Sequence, residues 1–232
     1  MASKGHLASR RFSVTKFLDA LRSRSPVADG RLPPGQVLTT KWPVLHYGDV
    51  PQVDTGSWTF DVAGLVDRPF TLTYEELLAL PRKTVQCDIH CVTRWSRLDN
   101  TFEGVAVHLL LERAGVKPDA QYCLVSAEQG FTTNLALTDL DRPDNLIALK
   151  WNGEWLTPEH GGPARLLVPH LYFWKSAKWV RGFTLVDQDV PGFWEQNGYH
   201  MRGDPWKEER YGGRGLTQHD INRLRSLSKK RV

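Results

Sequence analysis

Thr84-Val85-Gln86-Cys87-Asp88-Ile89-His90-Cys91-Val92-Thr93-Arg94-Trp95-Ser96 is a β-type run that ends in a cysteine and breaks into an Arg-Trp-Ser loop. Side chains alternate along a strand, so Cys87, Ile89 and Cys91 share a face wherever the strand is regular. Only the last residue, where strand becomes loop, easily reaches into a pocket, which favours Cys91 over Cys87 as a ligand. A thiolate at a sheet edge is a soft donor of the kind a redox metal takes. Two other fates stay open for it. One is a buried, inert thiol. The other is half of a zinc site through Cys87, His90 and Cys91, although no further ligands stand at zinc-module spacing.

The flanking sequence reads as more strand than helix. Residues 58–66 alternate apolar and polar, a strand pattern, and Asp67-Arg68-Pro69 turns the chain. Thr73-Tyr74-Glu75-Glu76 is a capping box and opens a short helix that Pro81 ends. Residues 105–114 carry helical spacing, stopped by Gly115. Residues 122–127, 165–169 and 179–186 read as strands. Residues 146–151 and 154–156 form a hairpin around the Asn152-Gly153 turn signal. Short helices are expected over 12–21 and 217–227. The chain is therefore expected to be α+β with a mixed, β-rich core. Its expected layout is a basic arm over 1–35, one domain over 36–200 and a basic extension with a short helix over 201–232.

The 232 residues are 41% hydrophobic, enough for a full core, and carry a net charge of +4. That charge is uneven. Residues 1–31 hold seven Lys/Arg against two Asp/Glu, and residues 202–232 hold nine against four, so the body between is acidic. Basic ends of this kind are solvated or dock an acidic partner. No nucleic-acid motif accompanies them, and no stretch is long and apolar enough to span a membrane. Three cysteines imply no disulfide framework and point to a reducing compartment. Ser9-Arg10-Arg11-Phe12 has the form of a twin-arginine signal. Lys16, Asp19, Arg22 and Arg24 follow it instead of an apolar region, so a cytoplasmic location is expected.

A second chemical segment begins at His160-Gly161-Gly162-Pro163-Ala164-Arg165. From His160 to Val186 there is no carboxylate, whereas Arg165, Lys175, Lys178 and Arg181 are all present. Paired glycines expose backbone N–H groups, and the neighbouring cations add charge-assisted donors. This is the composition of a phosphate cradle. A glycine turn followed by a solvated basic loop has the same composition and stays open.

Taken together, these segments resemble the molybdopterin-binding domain of the sulfite oxidase family, to which the protein-methionine-sulfoxide reductases are related. The likeness covers roughly residues 40–200. It rests on Trp58-x-Phe60-x-Val62-x-Gly64, Tyr74-Glu75-Glu76-Leu77, Cys91, Gly104-Val105 with Leu109-Leu110, and Asn152-Gly153-Glu154-Trp155-Leu156. It continues through His160-Gly161-Gly162-Pro163-Ala164-Arg165, Lys175-Ser176-Ala177-Lys178-Trp179 and Gly192-Phe193-Trp194-Glu195-x-x-Gly198-Tyr199.

The resemblance implies a molybdopterin cofactor whose molybdenum takes Cys91 as ligand. It implies cofactor contacts at His46, Tyr47, Gly48, Ser126, His160, Arg165, Ser176 and Lys178. Tyr199 stands where sulfite oxidases keep an active-site tyrosine, and Arg94 is the second expected substrate contact. Val92-Thr93-Arg94-Trp95-Ser96 departs from the sulfite oxidases, which place Gly-Asn-Arg after the cysteine, and is closer to the reductases. Val44-Leu45 also replaces their oxyanion-binding arginine. The implied activity is oxygen-atom transfer to or from a small substrate, with S- or N-oxide reduction ahead of sulfite-type oxidation. No second redox centre is encoded, so electrons are expected to pass through an external electron-transfer protein.

Overall fold

The computed structural model describes residues 30–212. The helices expected over 12–21 and 217–227 lie outside the described residues. In chain order the elements are β1 (Val37–Leu38), β2 (Thr59–Gly64), β3 (Phe70–Thr73), α1 (Tyr74–Ala79), β4 (Arg82–His90), β5 (Trp95–Ala106), α2 (Val107–Ala114) and β6 (Tyr122–Ala127). There follow β7 (Thr132–Ala136), α3 (Leu137–Leu140), β8 (Leu146–Trp151), β9 (Glu154–Trp155), β10 (Arg165–Leu167), β11 (Val180–Val186) and α4 (Phe193–Gln196).

Two mixed sheets result, in keeping with the α+β expectation. The first has the order β1-β5-β8-β10, with β4 on the other edge of β5 and β9 extending β8. The second has the order β3-β2-β11-β6-β7. One parallel pair stands in each, β1 with β5 and β2 with β11. The twelve-residue β5 is the spine of the first sheet. One of its edges takes β4 from Arg82↔Val105 to His90↔Ser96, and the other takes β1 at Trp95 and β8 from Phe102 onward.

The local signals explain most of these elements. Glu76 N–H donates to Thr73 Oγ1 and Thr73 N–H donates to Glu76 Oε2, so the capping box is real. Gly115 ends α2 at φ 65°, and Asn152 and Gly153 turn at φ 48° and 88°. Helix α2 starts at Val107 and not at Val105, because Val105 and Ala106 are still paired in β5.

Strand β8 is buried on both faces, which is why Leu146-Ile147-Ala148-Leu149 reads as a continuous apolar run. Ile147 and Leu149 join the large core with Phe60, Leu77, Leu110 and Phe183. Leu146 and Ala148 join a second core with Val85, Ile89, Phe102, Phe173 and Trp42. Trp95, which closes the Cys91 turn, packs against this second core.

Residues on both sides of the expected boundaries pack together. At the front, Arg31 forms ion pairs with Asp88 and Asp99. At the back, residues 201–212 fold onto the body. Tyr172 N–H donates to Gly203 O, Gly212 N–H donates to Gly198 O, and Tyr199 and Tyr211 form a β-bridge. Gly203 sits at φ +81° against the Trp174 ring, where a Cβ would come within 2.7 Å of ring carbons. No described helix is long and apolar enough to cross a membrane.

Gly104 marks the tightest point of the first sheet. The register of β5 against β8 shifts here, and an added Cβ would stand 2.1 Å from Ile147 O. Gly104→Ala is expected to cost about 1–3 kcal/mol by overpacking. A lower urea midpoint at unchanged m-value is the readout.

Candidate active site

Strand β4 stops at His90, so Cys91 is the first residue of the turn. Cys91 N–H donates to Trp95 O at 2.9 Å, and Arg94 N–H donates back to Cys91 O at 3.0 Å. Arg94 closes the turn at φ 75°, in the left-handed region, and its side chain is exposed. Gln36 Nε2 donates to Cys91 O, which ties β1's approach to the same turn. The sulfur is buried and lies 3.1 Å from Thr93 Oγ1. Burial pushes the thiol pKa up, while Thr93, Arg210 and Lys178 act in the opposite direction and favour the thiolate.

The neighbouring candidate ligands point elsewhere. Cys87 packs against the second core, and burial pushes its pKa up to about 12. His90 Nδ1 is 2.8 Å from Ser96 Oγ, and burial pulls its pKa down to about 4. Among the described residues, no three His, Cys, Asp or Glu side chains converge on a metal position. The zinc reading of Cys87, His90 and Cys91 therefore has no geometric support. The strand is irregular between Cys87 and Ile89, so the regular alternation that would put Cys87, Ile89 and Cys91 on one face is interrupted.

Around Cys91 the wall is aromatic. Tyr172 and Trp174 are buried beside it, with Trp95, Trp194 and Tyr199 packed against them. Tyr199 stacks on Trp194 at 4.9 Å and meets Trp174 and Tyr211 edge-on. Tyr47 extends the wall through Phe193 and Trp194. Burial, with Cys91 and Tyr211 nearby, raises the Tyr199 pKa far enough to keep its phenol protonated. Arg210 is buried, donates to Val92 O and Pro34 O, and lies over the Tyr172 ring.

The basic segment forms the adjoining half. Gly161 at φ +99° and Gly162 allow a backbone approach that side chains would block. A Cβ on Gly161 would strike Lys178, and one on Gly162 would lie 2.2 Å from Leu156 O. Arg165 is 1% exposed and donates to His160 O and Ser176 O. Its Nε has no partner, nor does His160 Nδ1. Burial lowers the Arg165 pKa, and burial with Arg165 lowers that of Lys178 to about 7. Burial, Arg165 and Lys178 together hold His160 near 4, so its ring is neutral. His46 reaches the edge of Trp179 at 6.2 Å, with its Nδ1 on Gly48 O.

The sequence-derived residues thus divide. Cys91, Tyr199 and Tyr47 share the aromatic half. His160, Arg165, Lys178 and the His46–Gly48 turn share the basic half, and Lys178 is felt electrostatically by both Arg165 and Cys91. Ser176 contributes to the frame, since its hydroxyl accepts from Val168 N–H and its carbonyl from Arg165. Ser126 contacts neither half. Its hydroxyl donates to Gly182 O, and it lines a surface groove with Asp61, Thr71 and Thr184.

Lys175, counted with the cradle cations, is fully buried, 2.6 Å from Glu195 and bonded to Asn134 and Met201. Sequence reasoning missed Trp42, Gln36, Trp174 and Arg210. Their partners lie far along the chain, and only the tryptophan count hinted at the wall.

A soft thiol in an aromatic wall adjoins a buried basic cluster in which Arg165 has no carboxylate partner and two ring or guanidinium nitrogens have no hydrogen bond. That arrangement fits a ligand carrying a soft metal at one end and a phosphate at the other, as molybdopterin does.

Comparison with known proteins agrees. Residues 47–194 match the profile of the oxidoreductase molybdopterin binding domain. The chain is 53% identical over 191 residues to the uncharacterized oxidoreductase YuiH of Bacillus subtilis (strain 168), spanning 82% of this chain and 96% of that protein. It is 28% identical over 173 residues to the putative protein-methionine-sulfoxide reductase subunit YedZ1 of Azospira oryzae, spanning 73% of this chain and 66% of that one. Among solved structures, the sulfane dehydrogenase SoxCD from Paracoccus pantotrophus aligns with a TM-score of 0.55 at 26% identity, over 60% of this chain and 40% of that one.

Two outcomes follow from the buried charges. Lys175→Met leaves Glu195 buried and unpaired, at an expected cost of about 3–5 kcal/mol, and adding Glu195→Gln should recover part of it. Urea denaturation of the single and double variants measures both. For Lys178, the folded pKa of about 7 lies below the 10.5 of an unperturbed lysine. Between those values the unfolded chain binds more protons, so stability of the cofactor-free protein rises with pH across this window. Lys178→Met should remove that part of the rise when urea midpoints at pH 6.5 and 9.5, both values chosen to straddle about one pKa, are compared.

Proposed function

This chain belongs to the oxidoreductase molybdopterin-binding domain family, and from that premise we propose that it reduces small, uncharged S- or N-oxides. It is a molybdenum oxidoreductase with the α+β fold of the sulfite oxidase type. When bound, the molybdenum–pterin group supplies two-electron oxygen-atom transfer.

In this reading Cys91 is the thiolate ligand to molybdenum. Its position at the end of β4, and the nearby Lys178 and Arg210 charges that ease thiolate formation, support the role. His160, Arg165 and Lys178, with the His46-Tyr47-Gly48 turn, hold the pterin and its phosphate. Their unpartnered buried donors support it. Ser176 acts by fixing Arg165.

The observation that carries the substrate class is the wall around Cys91. It is built of Tyr172, Trp174, Trp194, Tyr199 and Trp95, and apart from Arg94 at the rim the cations near it are already engaged. Arg210 bonds Val92 O and Pro34 O, Lys178 bonds Glu159 O, and Lys175 is paired with Glu195. A neutral, polarisable oxide suits such a recess better than a doubly charged anion, which needs uncommitted cations. Tyr199 keeps its proton and can donate a hydrogen bond to the oxide oxygen, and the exposed Arg94 lies at the rim. Removing one oxygen as water consumes two electrons and two protons. The electrons come from an external electron-transfer protein. The similarity to YedZ1, named as a putative sulfoxide reductase subunit, runs in the same direction. The likeness to a sulfane dehydrogenase keeps sulfur oxidation as the second reading.

Metal-loaded protein assayed with an artificial donor should reduce sulfoxides or N-oxides. Sulfite oxidation with an artificial acceptor, in the absence of any oxide reduction, would reverse the assignment. Cys91→Ser replaces a soft donor by a hard one and should abolish turnover. Tyr199→Phe should lower kcat/KM about 10²-fold with molybdenum content unchanged.

A further inference from the structure

Trp42 lies outside the matched region 47–194, yet it touches two groups of the basic half. Its indole stacks face to face on the His160 imidazole, with centroids 4.0 Å apart and planes 12° from parallel. The Arg165 guanidinium carbon lies 5.3 Å from the same indole. Phe102, Trp151 and Phe173 surround it at 5.6, 4.8 and 5.9 Å, all at steep angles, so the ring cannot slide. Trp42 is 9% exposed.

We propose that Trp42 is a positioning residue for cofactor retention. It fixes the plane of His160 and closes one side of Arg165, which keeps water from the cationic hole. His160 and Arg165 flank the Gly161-Gly162 pair, and His160 ends the 3-10 turn Pro158–His160. The His160 backbone is tied through its carbonyl to Arg165, but its ring Nδ1 has no partner. The parallel stack on Trp42, at 4.0 Å, is the closest ring contact on the imidazole, with Trp151 tilted against it at 6.1 Å. Arg165 gains from the same indole, since an arginine over an aromatic face is stabilised most where water is excluded. Trp42 thereby couples the two groups, and loss of its ring frees both together. The inference rests on the reading of His160 and Arg165 as cofactor contacts, and it is independent of which substrate is turned over.

The test measures pterin release from purified holoenzyme, through the fluorescence of the oxidised pterin, in Trp42→Leu, Arg165→Met and Leu110→Ala. Leu110 belongs to the large core and supplies a comparison destabilised without any change at the site. Trp42→Leu should release pterin at least about tenfold faster than the wild type, equivalent to about 1.4 kcal/mol. Leu110→Ala should stay near the wild-type rate. If Trp42→Leu fails to fold, Trp42→Met, which keeps more buried volume but has no ring to stack, takes its place. Release from the Trp42 variant no faster than from Leu110→Ala, while Arg165→Met does lose pterin, overturns the inference alone. Wild-type retention by Arg165→Met removes the underlying contact reading and overturns both.

Discussion

A guanidinium buried without a carboxylate is the constraint around which this protein is arranged. Removing such a charge from water is expensive unless hydrogen bonds and polarisable surfaces replace the solvent. Arg165 meets the cost with two carbonyls, those of His160 and Ser176, and with the faces of Phe173 and Trp42. These partners come from three pieces of chain, since Ser176 and Phe173 share one loop. Satisfying Arg165 therefore fixes the glycine turn, the basic loop and the N-terminal crossing segment at once. The Nε nitrogen is buried without any partner.

The same logic separates Arg165 from Lys175. Both are fully buried cations in one carboxylate-poor segment. Lys175 is neutralised by Glu195, which also accepts from Trp174 Nε1. One charge is thus spent on holding the aromatic wall, and the other has no carboxylate partner. Pairing status, more than the number of basic residues, distinguishes these two cations.

Local signals in the sequence translated faithfully. The capping box at Thr73, the Asn152-Gly153 turn and the Gly115 stop each depend on neighbours within a few residues, so their physics is complete in the string. Cys91 was legible for a similar reason, since the end of strand β4 is a local event. The count of carboxylates over 160–186 misled at Lys175, because Glu195 reaches in from beyond that window. Ser126 was assigned by resemblance, but β6 turns Val125 and Ala127 into the core and leaves Ser126 on the other face. Trp42 and Arg210 carried no local mark. The stack with His160 and the bond to Val92 O join segments 118 residues apart in both cases.

The fold-back of residues 201–212 also has a temporal side. The site draws on Gln36 and Trp42 near the front, on Cys91 and Arg165 in the middle, and on Tyr199, Arg210 and Tyr211 near the end. A chain made from its N-terminus cannot assemble that set until nearly all of it has left the ribosome. Long-range closure of this kind is slow to form, because loop entropy must be paid before the contacts are made. The two sheets and the large core draw mostly on the middle of the chain, whereas the Cys91 wall waits for both ends. The order of synthesis therefore puts that wall among the last parts of the fold to be completed.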